Sequence, residues 1–230
     1  MYIFGDVHNV IKTLEDDSID LIYTSPPYGS TKAEWDKPLR WDELFPEMWR
    51  VLKPSGVIVL HASMPFTYDL LQHDKPKYHY TWLKNNSTGG LTAKYQPLRR
   101  TEEVMVYYNN KPTYNPQMKG DKFFKKRNKK WGTKEDDYCG HFARDANGKK
   151  PVTVSKPNEG HIGRYPDTLL EYKIRWKSAI SRTDDMMDFF IKTYSNEGDT
   201  VLDLTTHNSF LNDRVVALKR EFIGIDIVEF

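Results

Sequence analysis

At 230 residues, 38% of them hydrophobic and 29% charged, the chain is long enough to bury a sizeable core beneath an unusually polar surface. Its longest apolar runs, such as GVIVL (Gly56 to Leu60), are far too short to cross a bilayer, and MYIFGDVHNV lacks the basic and long apolar regions of a signal peptide, so a soluble cytoplasmic protein is expected. A single cysteine, Cys139, excludes an internal disulfide or a thiolate zinc cluster, seven histidines without a close H-x-x-x-H pair argue against a structural metal, and the net charge of +2 hides an uneven distribution.

The first predicted element is a short strand, YIFGD (Tyr2 to Asp6), followed by a helix over NVIKTLEDD with Val10, Ile11 and Leu14 on one face. IDLIYT (Ile19 to Thr24) is nearly continuous in apolar residues, as expected of a strand covered on both faces by helices. WDELFPEMWRVLKPSG reads as a helix around Leu44, Met48, Val51 and Leu52 that ends at Pro54 and Gly56. Three more strands follow, GVIVLHAS, YHYTWLK and EEVMVYYN, the last two separated by the loop NNSTGGLTAKYQPLRR. From Asn109 to about Tyr165 no period is sustained, and so long an irregular stretch is usually functional or disordered. Regular structure returns with a helix over DDMMDFFIKTYS, a strand DTVLDL, a helix FLNDRVVALKR and a strand EFIGIDI. Strands alternating with helices predict a doubly wound, mainly parallel sheet.

Two stretches ask for more than a structural explanation. After the strand IDLIYT, the chain turns on Ser25, Pro26, Pro27 and Tyr28. Consecutive prolines fix φ, so the corner cannot relax, and it gathers a hydroxyl, backbone carbonyls and an aromatic face. That set suits a flat polar ring, although a Pro-rich turn can also simply close a strand. The second stretch, KGDKFFKKRNKKWGTK (Lys119 to Lys134), holds eight basic residues against one acidic residue, Asp121. Such a block is often plain solvated surface, but the interleaved Phe123, Phe124 and Trp131 suit phosphates and base faces. Lys125, Lys126, Arg127, Lys129, Lys130 and Trp131 are its candidate nucleic-acid-binding residues.

YIFGD, TSPPYG, RVLKPSGVIVL, RTEEVMVYY and DTVLDL…REFIGIDI together resemble the β-class amino-methyltransferases of DNA, a circularly permuted family whose catalytic half precedes the half that binds S-adenosylmethionine. The resemblance implies a Rossmann-like, permuted α/β fold with a mixed, mainly parallel seven-stranded sheet. It implies one methyltransferase domain over 1–230, with a variable target-recognition insertion at 110–165. It implies catalytic roles for Ser25, Pro26, Pro27 and Tyr28. The base is extruded from the duplex, Tyr28 stacks on it, and the Ser25 hydroxyl and Pro26 carbonyl accept hydrogen bonds from its amine. S-adenosylmethionine is the implied cofactor, held by Asp6, Thr24, Asp203, Leu204, Thr205, Asn208, Asp226 and Ile227, with Asp226 on the ribose as in dinucleotide folds. The implied partners are double-stranded DNA and, in a restriction–modification setting, a cognate restriction enzyme. A serine before the prolines resembles the cytosine-N4 enzymes more than the adenine-N6 enzymes.

Two cofactor elements depart from the family. DLTTHNSFLND has no glycine where relatives carry a Gly-Ser-Gly turn, and SAISRTDDMMDFF replaces a His-Pro-Thr-x-Lys-Pro-like stretch. Glycine gives easy access to positive φ, so a strained loop and weakened cofactor binding are expected. The alternatives are a nucleic-acid-binding protein that has lost cofactor affinity, or a methyltransferase acting on RNA or a protein amide.

Overall fold

A computed structural model describes residues 1–129, 153–173 and 182–227. It divides into two units, Met1–Gln117 with Asp167–Phe230, and Met118–Pro166. No helix among the described residues is long and apolar enough to cross a membrane.

The larger unit is built on an eight-stranded sheet. Its strands are β1 (Tyr2–Phe4), β2 (Ile19–Thr24), β3 (Leu52–Ala62), β4 (Tyr78–Thr88), β5 (Arg99–Tyr107), β8 (Leu169–Leu170), β9 (Thr200–Asp203) and β10 (Glu221–Asp226). They lie in the order β1-β10-β9-β2-β3-β5-β4-β8. The run from β1 to β3 is parallel, and β5 is antiparallel to both β3 and β4. The predicted mainly parallel α/β sheet is therefore present, with the two-residue β8 added at one edge beyond the seven strands expected.

β2 is buried at every position except Asp20 because side chains leave it toward two cores. Ile22, Ile58 and Leu60 join a cluster with Leu44, Met48, Phe66 and Leu70. Those four come from α2 (Trp41–Val51) and α3 (Phe66–His73). Leu21, Tyr23, Val57 and Val59 join a second cluster with Met186, Phe190, Tyr194 and Val215, from α4 (Asp184–Tyr194) and α5 (Phe210–Ala217). Helices on both faces explain why these strands read as continuous apolar runs.

Several predicted boundaries move. The first helix is only α1 (Val7–Val10) followed by a 3₁₀ turn over Ile11–Thr13. α2 stops at Val51, because Leu52 already pairs with Ile19 as the first residue of β3. α3 is a helix that the sequence pattern did not suggest.

The second unit corrects the expectation of an irregular segment. β6 (Lys119–Lys129) pairs antiparallel with β7 (Thr153–Arg164), bringing Phe123 opposite Ile162 and Phe124 opposite His161. Phe123 and Ile162 are both exposed, at 49% and 63%. Where paired apolar side chains such as Phe123 and Ile162 stay exposed, alternation of polar and apolar residues is not required, so period-based reading passes over the ribbon.

Candidate active site

β2 and β9 are neighbours in the sheet, yet the chain leaves them in opposite directions, β2 toward β3 and β9 toward β10. This is a topological switch point, where open α/β sheets form a crevice beyond their carboxyl ends. A cavity of about 710 Å³ opens there. Its wall includes the whole corner Ser25–Tyr28, the strand-end carboxylates Asp6, Asp203 and Asp226, and Leu204, Thr205, Asn208 and Ile227. Segments nearly two hundred residues apart in sequence thus share one cavity.

Of the candidate cofactor residues, Thr24 alone is absent from this wall. It is fully buried, with Oγ1 3.2 Å from Thr205 Oγ1. The last residue of β2 is therefore tied to the loop after β9, behind the cavity wall. Asp6 lines the cavity and also caps α1, accepting from the His8 backbone N–H at 2.9 Å.

The loop after Asp203 overturns the expectation of strain. Among the described residues only Asp17 and Lys219 are non-glycines with positive φ, so the segment after β9 folds without any left-handed position. Local hydrogen bonds set the turn instead. Asp203 accepts from the Thr205 N–H at 3.3 Å and the Thr206 hydroxyl at 3.4 Å, the Thr206 N–H donates to the Ile225 carbonyl at 2.8 Å, and Asn208 Oδ1 accepts from the Phe210 N–H at 3.1 Å. The glycine-free turn needs no left-handed residue.

The Ser25–Tyr28 corner is held differently. The Tyr28 ring stacks on Phe66 (centroids 5.1 Å apart, 17° between planes), and its hydroxyl donates to Glu102 Oε1 at 2.9 Å. Glu102 is 4% exposed and also meets the Lys84 ammonium and His61 Nδ1, the latter at 3.3 Å. The Tyr23 hydroxyl lies 3.3 Å from His61 Nε2. Burial alone would raise the Glu102 carboxyl, but hydrogen bonding to His61 and the charge of Lys84 more than offset it and hold it down to about 2. Burial lowers His61, keeping the imidazole neutral. One tautomer serves the whole chain: Nδ1–H donates to Glu102 while Nε2 accepts from Tyr23. Burial pushes the Tyr28 phenol well above its ordinary value, and the Glu102 charge adds to the effect.

Beyond the corner, Ser30, Thr31 and residues 34–38 line the same cavity. Asp36 accepts from the N–H groups of Gly29 at 2.8 Å and Thr31 at 2.6 Å. Burial works to raise this carboxyl, but hydrogen bonds from Thr31, Gly29 and Tyr28 win and hold it below its usual value. Gly29 has φ of +63°, and a Cβ there would lie 2.7 Å from the Pro38 ring, so the turn needs a glycine. The same segment brings Trp35, 66% exposed, to the cavity wall.

The cavity residues fit S-adenosylmethionine. Arg182 lines the wall, its guanidinium 5.5 Å from the Tyr23 ring centroid, and its Nη1 is buried without a hydrogen-bond partner among the described residues. An orphaned cationic donor beside strand-end carboxylates provides for both a carboxylate and the hydroxyls of a ribose.

Sequence reasoning missed Glu102, Lys84, His61, Arg182 and Trp35. A usable signal existed for the first: an acidic residue leading an apolar strand is rarely buried unless paired. Of the proposed DNA-binding residues, Lys125, Lys126, Arg127 and Lys129 belong to β6, whereas Lys130 and Trp131 lie outside the described residues.

Fold and crevice together define a Rossmann-like methyltransferase. The chain belongs to the DNA methylase family of N6 and N4 amino-methyltransferases, whose model matches residues 19–230 and whose methyl donor is S-adenosylmethionine. It is 28% identical over 239 aligned residues to the type II methyltransferase M.HpaI of Haemophilus parainfluenzae, covering 94% of this chain and 67% of that protein. The fold is shared with PvuII DNA methyltransferase (cytosine-N4-specific), at a TM-score of 0.62 and 14% identity, covering 99% of this chain and 81% of that one. It is also shared with the M1.HpyAVI–SAM complex, at a TM-score of 0.58 and 19% identity, covering 100% and 94%.

Proposed function

We propose that the chain methylates the exocyclic amine of a base extruded from double-stranded DNA, with cytosine N4 favoured over adenine N6. The observation that carries this reading is the meeting of the Ser25–Tyr28 corner with the loop after Asp203 in one cavity at the switch point. When bound, the sulfonium of S-adenosylmethionine supplies an electrophilic methyl group. The protein's own part is positioning. Arg182 takes the methionine carboxylate, while Asp6 and Asp226 take adenine and ribose donors. The loop Leu204 to Asn208, with Ile227, closes around the rest. Ser25 Oγ and the Pro26 carbonyl accept from the two amine N–H groups, directing the nitrogen lone pair away from the ring plane. Orientation of this kind supplies much of the rate without a strong base. As the N–CH3 bond forms the S–CH3 bond would break, leaving a neutral thioether, and the methylated amine then releases its extra proton to solvent. Glu102, held ionised, fixes the Tyr28 hydroxyl and so the corner.

The Tyr28 ring already has Phe66 on one face, so at most its other face is open to a base, and Trp35 supplies the further aromatic surface. Ser25 at the head of the corner supports cytosine. The β6–β7 ribbon, with its lysines, supports DNA as the substrate. Loss of cofactor affinity has weaker support, because the glycine-free turn is relaxed.

The test is incubation with labelled S-adenosylmethionine and mixed-sequence DNA, then nucleoside digestion and mass spectrometry. N4-methylcytosine is expected. N6-methyladenine would overturn the choice of base, and transfer unaffected by Ser25→Ala would overturn the site.

A further inference from the structure

Between Asp74 and Glu102 the sequence has no acidic residue. The second half of that stretch, residues 85–100, carries β4 into β5. Because β5 is antiparallel to both β3 and β4, β4 runs with β3, and its carboxyl end leaves the sheet on the same edge as the Ser25–Tyr28 corner. The ladder continues past a register shift to Thr88 opposite Arg99, and the chain then turns through a 3₁₀ segment, Gly90–Thr92.

This tip is ordered and bare at once. Thr92 Oγ1 donates to the Gly89 carbonyl at 3.1 Å, and Gln96 Nε2 donates to Thr92 Oγ1 at 2.8 Å. Arg99 Nη1 reaches the Met64 carbonyl at 3.1 Å, tying the ribbon's base to the segment after β3. Every residue from Leu91 to Arg100 is nevertheless exposed, with Leu91 at 100% and Tyr95 at 88%. Its only charges are Lys94, Arg99 and Arg100, all positive. Large apolar side chains held in water among unopposed cations need a partner that is anionic outside and apolar within. DNA has that character.

We propose that the β4–β5 ribbon is a second DNA-contacting element, on the main unit itself, and this rests on the methyltransferase reading above. Lys94, Arg99 and Arg100 neutralise phosphates beside the extruded nucleotide, and Leu91 and Tyr95 contact the bases next to the gap. Charge complementarity selects an anionic partner, and beside the cavity of a DNA methyltransferase that partner is the DNA itself.

The test uses the full chain and a short mixed-sequence duplex, with affinity followed by fluorescence anisotropy across a range of salt. Changing Lys94, Arg99 and Arg100 together to Gln is expected to flatten the log–log salt slope by about 0.9 for each phosphate released, about 2–3 in total. Leu91→Ser with Tyr95→Ala is expected to keep the slope and weaken binding about five- to hundredfold. Both variants are expected to keep wild-type affinity for S-adenosylmethionine in titration calorimetry, which also reports their fold. Wild-type duplex affinity and slope in both variants would overturn the ribbon's role while leaving the methyltransferase reading intact. A wild-type chain that binds neither duplex nor S-adenosylmethionine would overturn both. A dimer that Tyr95→Ala converts to monomer without loss of duplex affinity would make the ribbon a contact between copies of this chain, overturning the inference.

Discussion

The two halves of the cavity are held by opposite means. The corner Ser25–Tyr28 leans on a buried ionic network, Glu102 with Lys84, His61 and Tyr28, assembled from three strands and the corner itself. The loop after Asp203 leans mainly on itself, through short-range hydrogen bonds and ordinary φ angles, with single ties to Thr24 and Ile225. Rigidity at the corner therefore depends on charge pairing in a low dielectric, where one missing partner is costly. Rigidity in the loop depends on turn chemistry, where each contact is small and replaceable.

The largest expected effect breaks the corner alone. Glu102→Ala strands the Lys84 ammonium, 9% exposed, without its carboxylate and is expected to cost about 3–5 kcal/mol of stability in urea unfolding. The same network predicts acid sensitivity. Glu102 is lowered in the fold, so its contribution is fully present above its ordinary 4.5 and is lost as pH falls toward about 2. His61 is also lowered, so the unfolded chain takes up its proton first, and stability is expected to begin falling below pH 6.5. Unfolding curves of Glu102→Gln should lack the steeper, more acidic phase.

Next in size, Ser25→Ala is expected to raise the transfer barrier by about 2–4 kcal/mol, by analogy with a lost oxyanion contact, while leaving the unfolding midpoint unchanged. Single-turnover rates beside a melting curve separate the two quantities. A matched loss of stability would make Ser25 a structural residue.

Tyr28→Phe sharpens the comparison. If stacking alone mattered, the phenyl ring would suffice. The hydroxyl, however, donates to an ionised carboxylate, and losing such a bond costs about 1.5–3 kcal/mol. A clear drop in turnover with intact S-adenosylmethionine binding is expected, and near-normal turnover would show that the network does not support the corner.

The smallest effect lies in the loop. Because no residue there has positive φ, changing His207 and Ser209 both to Gly relieves no left-handed position. It adds freedom to the unfolded chain, for a loss of about 0.4–1 kcal/mol each, and removes the exposed bond that Ser209 Oγ donates to Asp213 at 3.2 Å. Calorimetry should show equal or slightly weaker S-adenosylmethionine binding. Tighter binding would mean that the loop is strained after all.

The sequence by itself determined what is local or periodic. β2, β9 and β10 are legible as apolar runs bounded by breakers, and the order of strands and helices is enough for the parallel sheet. The Ser-Pro-Pro-Tyr corner announces itself because two prolines constrain φ whatever surrounds them. Only the tertiary structure decided the rest. Glu102, Lys84 and His61 lie on three different strands, and nothing in any one strand says that the other two will meet it. Arg182, just before α4, and Trp35, in the loop after the corner, reach the cavity wall from segments that carry no periodic signal. The relaxed φ of the loop follows from hydrogen bonds to Asp203 and Ile225, not from its composition. Burial and charge pairing are properties of neighbours in space, and the order of residues along a chain fixes them only through the fold.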